Sequence, residues 1–214
     1  MARIGKSLLI LLCLSLLIIV NSCREPEEPA ANQVNRLVVN DEQINESFRE
    51  IALHEQEDME LYELILKRGK ENGSLESLLD QAQVNREVRR KLLDQTQVTM
   101  NGSKKLVSQL QFSLNELSVE KEKTLALELL NLYEHRADTL EEFVSTYKQS
   151  LLADQRLYEM MRKDAEPDLV KIKQVLQMRN NEFAKLQELR RLFNQQTATF
   201  NSSNERLVEM KQRG

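Results

Sequence analysis

Steps of three and four residues, taken alternately from Leu169, land on Ile172, Leu176, Arg179, Phe183, Leu186, Arg190, Phe193, Thr197, Phe200, Asn204 and Leu207. A seven-residue repeat held this long is the signature of a helix packed knobs-into-holes against neighbours, with a left-handed supercoil. Such a helix cannot bury its stripe alone, so the rest of the chain must supply partners. It does so with good helix formers: Leu, Glu, Gln, Lys and Arg are abundant, while there are five glycines, three prolines and no tryptophan. No strand-like alternation competes.

Three earlier segments fit the partner role. Ile44, Phe48, Ile51, Tyr62 and Ile65 fall near helical spacing and predict a first helix over 38–70, closed by Gly69 and Asn72-Gly73-Ser74, with Ser74 placed to cap the next helix. A second helix over 75–117 carries a thin apolar stripe between Gln81 and Lys105, and Asn101-Gly102-Ser103 is either a break or a costly interior glycine. A third shows Leu125, Leu129, Leu132, Tyr133, Leu140, Phe143, Tyr147, Leu151, Tyr158 and Met161 on one face. A turn at 164–166 then precedes Pro167, which suits a helix start. The expected fold is all-α: an elongated antiparallel up-and-down bundle of three to four long helices with coiled-coil-like packing. Helices of about 40 residues would make it roughly 60 Å long.

The N-terminus has a different grammar. Basic Arg3 and Lys6 precede an apolar run from Leu8 to Val20, followed by Asn21, Ser22 and Cys23. This is the order of an export signal. Its 13 apolar residues fall short of the roughly 20 needed to cross a hydrocarbon core. Val20-Asn21-Ser22-Cys23 resembles the bacterial lipobox, with Asn21 atypical at its position. The thiol is the nucleophile that takes up a diacylglyceryl group, and small Ser22 lets a peptidase reach the bond. An ordinary secretory cut and an uncleaved anchor are the competing readings; the polar Arg24-Glu25-Pro26-Glu27-Glu28-Pro29 directly after Cys23 weighs against both. Residues 1–22 are thus expected to be a signal peptide, 23–37 a lipidated cysteine with an extended tether, and 38–214 the bundle. With Cys13 discarded and Cys23 lipidated, the mature chain would hold no disulfide. Two acyl chains would keep it on the extracytoplasmic face of the cell membrane.

Removing residues 1–22 leaves 28 Lys and Arg against 34 Asp and Glu, a net charge of −6, which excludes general attraction to nucleic acid. The charge is unevenly spread. From Asp41 to Leu66 nine acids face the single Arg49, whereas from Asp168 to Gly214 nine bases face five acids. Opposite signs on the first and last helices could orient their packing, or both could be solvated faces that aid solubility. A basic side left open on the last helix would make Arg179, Lys185, Arg190 and Arg191 the candidate contacts for wall polymer or an envelope protein.

Groups for chemistry are sparse. His54-Glu55-Gln56-Glu57-Asp58 starts like a zinc-protease helix but lacks the second histidine, and Glu50 lies four residues before His54 rather than three, which breaks the di-iron pattern. No Gly-x-Ser-x-Gly elbow or phosphate-cradling glycine loop is present. The expectation is a protein that is not an enzyme and carries no metal or cofactor.

Tyr147-Lys148-Gln149-Ser150-Leu151-Leu152-Ala153-Asp154, running into Leu157-Tyr158-Glu159, and Phe193-Asn194-Gln195-Gln196-Thr197-Ala198-Thr199-Phe200-Asn201 resemble the YkyA-type cell-wall-binding lipoproteins of Gram-positive bacteria. Lipobox, length and all-helical pattern are similar over nearly the whole mature chain. Phe200 stands where that family leads one to expect tyrosine. The resemblance implies a helical bundle at the boundary of wall and membrane and supplies no catalytic residue. The alternative is a helical scaffold that self-associates or docks a membrane or envelope protein without touching polymer.

Overall fold

The computed structural model describes residues 30–68, 75–114, 120–163 and 169–213, and each stretch is one helix: α1 (Ala30–Arg68), α2 (Leu75–Leu114), α3 (Glu120–Lys163) and α4 (Leu169–Arg213). No strand occurs among the described residues, and no helix among them is long and apolar enough to cross a membrane. The signal sequence, Cys23, Asn72-Gly73-Ser74, the turn at 164–166 and Pro167 lie outside them. The fold is the four-helix, up-and-down arrangement that the heptads require.

One boundary differs from expectation and one open alternative is resolved. α1 starts at Ala30, inside the stretch assigned to the tether, because Gln33, Val34 and Leu37 are buried and extend the helical stripe by two turns. α2 runs unbroken through Asn101-Gly102-Ser103. Gly102 therefore sits in a helix interior, where glycine costs about 1 kcal/mol relative to alanine.

The helices contribute to two compact units. The unit built from 44–98 and 141–191 takes one segment from each helix. Its centre is Ile51 of α1, Leu92 and Leu93 of α2, Val144, Tyr147 and Leu151 of α3 and Leu186 of α4. Lys148 to Asp94 at 2.8 Å and Arg86 to Gln155 at 2.8 Å run α2 against α3 in opposite directions. Lys185 to Glu142 at 3.0 Å and Arg179 to Asp154 at 2.5 Å do the same for α3 and α4. Burying a Leu, Ile, Val or Phe side chain contributes about 1.5–3 kcal/mol, and this apolar seam drives the packing.

The unit built from 30–43, 99–140 and 192–213 likewise draws on all four helices. Asn40 donates to Ser103 at 3.0 Å between α1 and α2, and Lys104 pairs with Asp138 at 2.6 Å between α2 and α3. The Tyr133 ring meets Phe200 edge-on at 5.9 Å between α3 and α4.

On α4 the expected stripe is recovered at Leu186, Phe200 and Asn204, which are buried. It fails at Arg190, which is exposed while Leu189 is buried in its place. A helix advances 3.6 residues per turn, so a leucine one position away competes for the seam. Burying it is favourable where desolvating an unpaired guanidinium is not.

Candidate functional site

The four basic residues singled out on α4 do not form one open face. Arg179 is turned inward: its Nε donates to Asp154 at 2.5 Å, and its guanidinium lies 5.0 Å from the Phe183 ring centre and 5.6 Å from that of Tyr62. It is spent on the bundle, joining α4 to α3 by charge and to α1 by a ring. Arg190 donates to Gln187 at 2.7 Å, and Arg191 makes a two-pronged contact with Glu188 at 2.6 and 3.1 Å. Those two and Lys185 are exposed, each beside a polar or acidic neighbour.

Sequence reasoning missed the polar groups inside the bundle. In the 44–98/141–191 unit, Asp58 lies in the acidic run of α1, for which a solvated face is one of two readings, yet its side chain is only 4% exposed. Arg89, 2% exposed, reaches it at 3.0 Å, and Tyr158 donates to its other oxygen at 3.2 Å. Burial is the largest influence on the Arg89 guanidinium and opposes its charge, but Asp58, Tyr147 and Asp154 together outweigh it and the pKa is raised. Tyr147 donates to Glu55 at 2.5 Å, and burial, reinforced by that carboxylate, pushes its phenol well above the ordinary range. Asp154 is raised chiefly by burial, against the pull of Arg179. A smaller network in the other unit joins Asp41 to Tyr133 at 2.8 Å and to Arg136 at 2.5 Å. Arg136 is further enclosed by the rings of Tyr133, Phe200 and Phe193 at 4.6, 5.1 and 5.8 Å.

A signal for these groups exists. Continuing the α1 stripe through Ile51 by fours and threes gives Glu55, Asp58, Tyr62 and Ile65; on α2 the series Ala82, Arg86, Arg89, Leu93, Thr96, Met100, Ser103 is equally regular. The thin apolar stripe of α2 is a full heptad seam with polar residues in it. None of these clusters resembles a reaction centre: the phenols are held protonated and the carboxylates are engaged by arginines or hydroxyls. His54 contacts Glu57 at 2.8 Å and Asn85 at 3.4 Å, His135 is exposed, and no set of three or more His, Cys, Asp or Glu among the described residues is arranged to hold a metal.

An open concavity lies where α1 and α2 meet in the 30–43/99–140/192–213 unit. A groove of about 550 Å³ is lined from α1 by Gln33 and Arg36 and from α2 by Gly102, Lys105, Gln109 and Phe112, with Leu106 as an apolar floor and Ser108 and Ser113 on its rim. The α2 positions 102, 105, 109 and 112 share one helix face. Phe112 is 56% exposed there, whereas Gln33 is only 5% exposed. Among the described residues that line the groove there is no carboxylate.

Comparison with known families decides the wider identity: residues 25–210 match the family described as "YkyA: Putative cell-wall binding lipoprotein". The chain belongs to this family. The match spans all four helices, so the YkyA family is represented here by a four-helix up-and-down bundle with polar layers in its seams. Neither the curated proteins nor the solved structures yield a match.

Proposed function

We propose that this YkyA-family chain is a non-enzymatic, lipid-anchored envelope protein that binds cell-wall polymer from the extracytoplasmic face of the membrane, with the lipid on Cys23. The observation that carries the reading is the family match over residues 25–210. The lipobox-like Val20-Asn21-Ser22-Cys23 supports the anchor, and a groove without a carboxylate among its described lining residues supports a binding role over a catalytic one. Because the whole chain is acidic at net −4, its contact with an anionic polymer must be local, at a place where cations are gathered.

The test is co-sedimentation of the full-length protein, held in detergent, with purified wall sacculi over a series of salt concentrations. Binding that weakens with salt is expected; absence of binding at the lowest salt overturns the wall-binding reading. Replacement of Cys23 by serine, followed by radiolabelled fatty acid incorporation in cells, tests the anchor: label retained on the variant would place the lipid elsewhere.

A further inference from the structure

We propose that the groove between α1 and α2 is a binding site for an anionic saccharide; this deepens the wall-binding reading and rests on it. The first observation is Gly102. In the interior of α2 it costs about 1 kcal/mol relative to alanine, and among the described residues nothing requires it: there a Cβ would meet only Asn40 Nδ2, at 3.9 Å, an ordinary contact. The missing side chain instead leaves open the wall of a groove whose volume falls within the range of small-molecule sites, about 300–1,000 Å³. Glycine is the residue that allows a ligand to approach backbone closely.

The lining then specifies the ligand. The exposed Phe112 ring offers a flat apolar face, the surface on which the C–H face of a pyranose stacks. Gln33 is a buried part of the groove wall, and the exposed Gln109 with Ser108 and Ser113 supplies donors and acceptors suited to hydroxyl and acetamido groups. Of the described residues that line it, the charged ones are Arg36 and Lys105, both cationic, in a chain where acids outnumber bases by 34 to 30. An aromatic platform, amides and two cations describe a sugar ring bearing a carboxylate or a phosphate. Arg36 suits either oxyanion by its planar fork.

The test is calorimetric titration of the full-length protein in detergent with three probes: N-acetylglucosaminyl-N-acetylmuramic acid, which carries a carboxylate; a glycerol phosphate oligomer, which carries phosphate without a ring; and neutral chitobiose. The muramyl disaccharide is expected to bind at least tenfold more tightly than chitobiose. Glycerol phosphate binding most tightly would assign the site to phosphate and overturn the role given to the ring. Gly102→Met, a helix-favouring change that fills the groove, should weaken disaccharide binding at least tenfold. Phe112→Ala should weaken it about tenfold. Gly102→Ala discriminates further, since it should raise the melting temperature while weakening binding, a pairing that a purely structural glycine would not give. Equal affinity for the charged and neutral sugars, or unchanged binding by Gly102→Met, overturns the proposal. If Gly102→Met still co-sediments with sacculi as the parent does, the groove is wrong and wall binding stands elsewhere. If the parent binds the disaccharide through the groove but not sacculi, the site stands and the wall reading falls.

Discussion

Replacing Arg89 by methionine isolates the cost of the buried charge layer. Methionine keeps the unbranched stem and most of its packing, so what is removed is the guanidinium. Arg89 and Asp58 are 2% and 4% exposed, leaving solvent almost no part in screening the Asp58 charge once its partner is gone. Breaking one side of such a pair costs about 3–5 kcal/mol. With a urea dependence of roughly 2–3 kcal/mol per molar for a chain of this size, the unfolding midpoint should fall by about 1–2 M. A second change, Asp58→Asn in the Arg89→Met background, removes the stranded charge yet retains an acceptor for the Tyr158 hydroxyl. It should recover most of the loss, leaving a deficit of about 1 kcal/mol. Far-ultraviolet circular dichroism of the full-length protein in urea measures all three chains. A shift below about 0.5 M for Arg89→Met, or a double variant no more stable than the single, would refute the claim that an uncompensated buried carboxylate dominates.

Arg179→Gln should be tolerated near pH 4 and destabilising at pH 8. Asp154 has its folded pKa raised above the ordinary 3.8, chiefly by burial, so its contribution to stability falls as pH rises from about 4 through that folded value, and loss of Arg179 raises it further; a deficit equal at both pH values counts against Asp154 as the carrier. Ser150→Ala should leave stability unchanged or raise it by about 1 kcal/mol, because the Ser150 hydroxyl is fully buried without a hydrogen-bond partner among the described residues, and a lowered urea midpoint would point to a bond it makes. Arg190→Ala and Arg191→Ala should leave the urea midpoint where it is, since both are exposed and, among the described residues, bonded to neighbours on their own helix; a loss of stability would assign them a packing role.

The helix count and the up-and-down order were legible because apolar residues recur at Ile44, Ile51 and Ile65 on α1 and at Leu186 and Phe200 on α4, and short links leave few ways to pair such stripes. The start of α1 was not legible, since Ala30-Ala31-Asn32-Gln33 carries no apolar period and Gln33 is buried by its neighbours rather than by its own hydropathy. Asp58 and Arg89 were hidden for a related reason: charge composition averages over a helix, whereas burial depends on the single face a residue occupies. Arg179 was legible as an oddity in the α4 seam, though its partner Asp154 was not. The groove was least legible of all. Arg36 and Lys105 lie on separate helices amid ordinary charge patterns, and only the pairing of α1 with α2 gives the glycine at 102 a meaning.

The division of the chain between its units carries a consequence for the order in which they form. One unit falls wholly within 44–191, while the other must bring 30–43 together with 192–213 around the helical segments 99–114 and 120–140. Closing a loop on the order of 150 residues costs about 4–5 kcal/mol in chain entropy, and most of that cost is removed once the interior unit has formed. The terminal unit should thus assemble last and open first, at the low end of amide protection against hydrogen exchange. The groove belongs to that unit. Occupancy and local order there are then coupled, so a saccharide bridging α1 and α2 should slow exchange in 30–43 and 99–114 and leave 44–98 as it was.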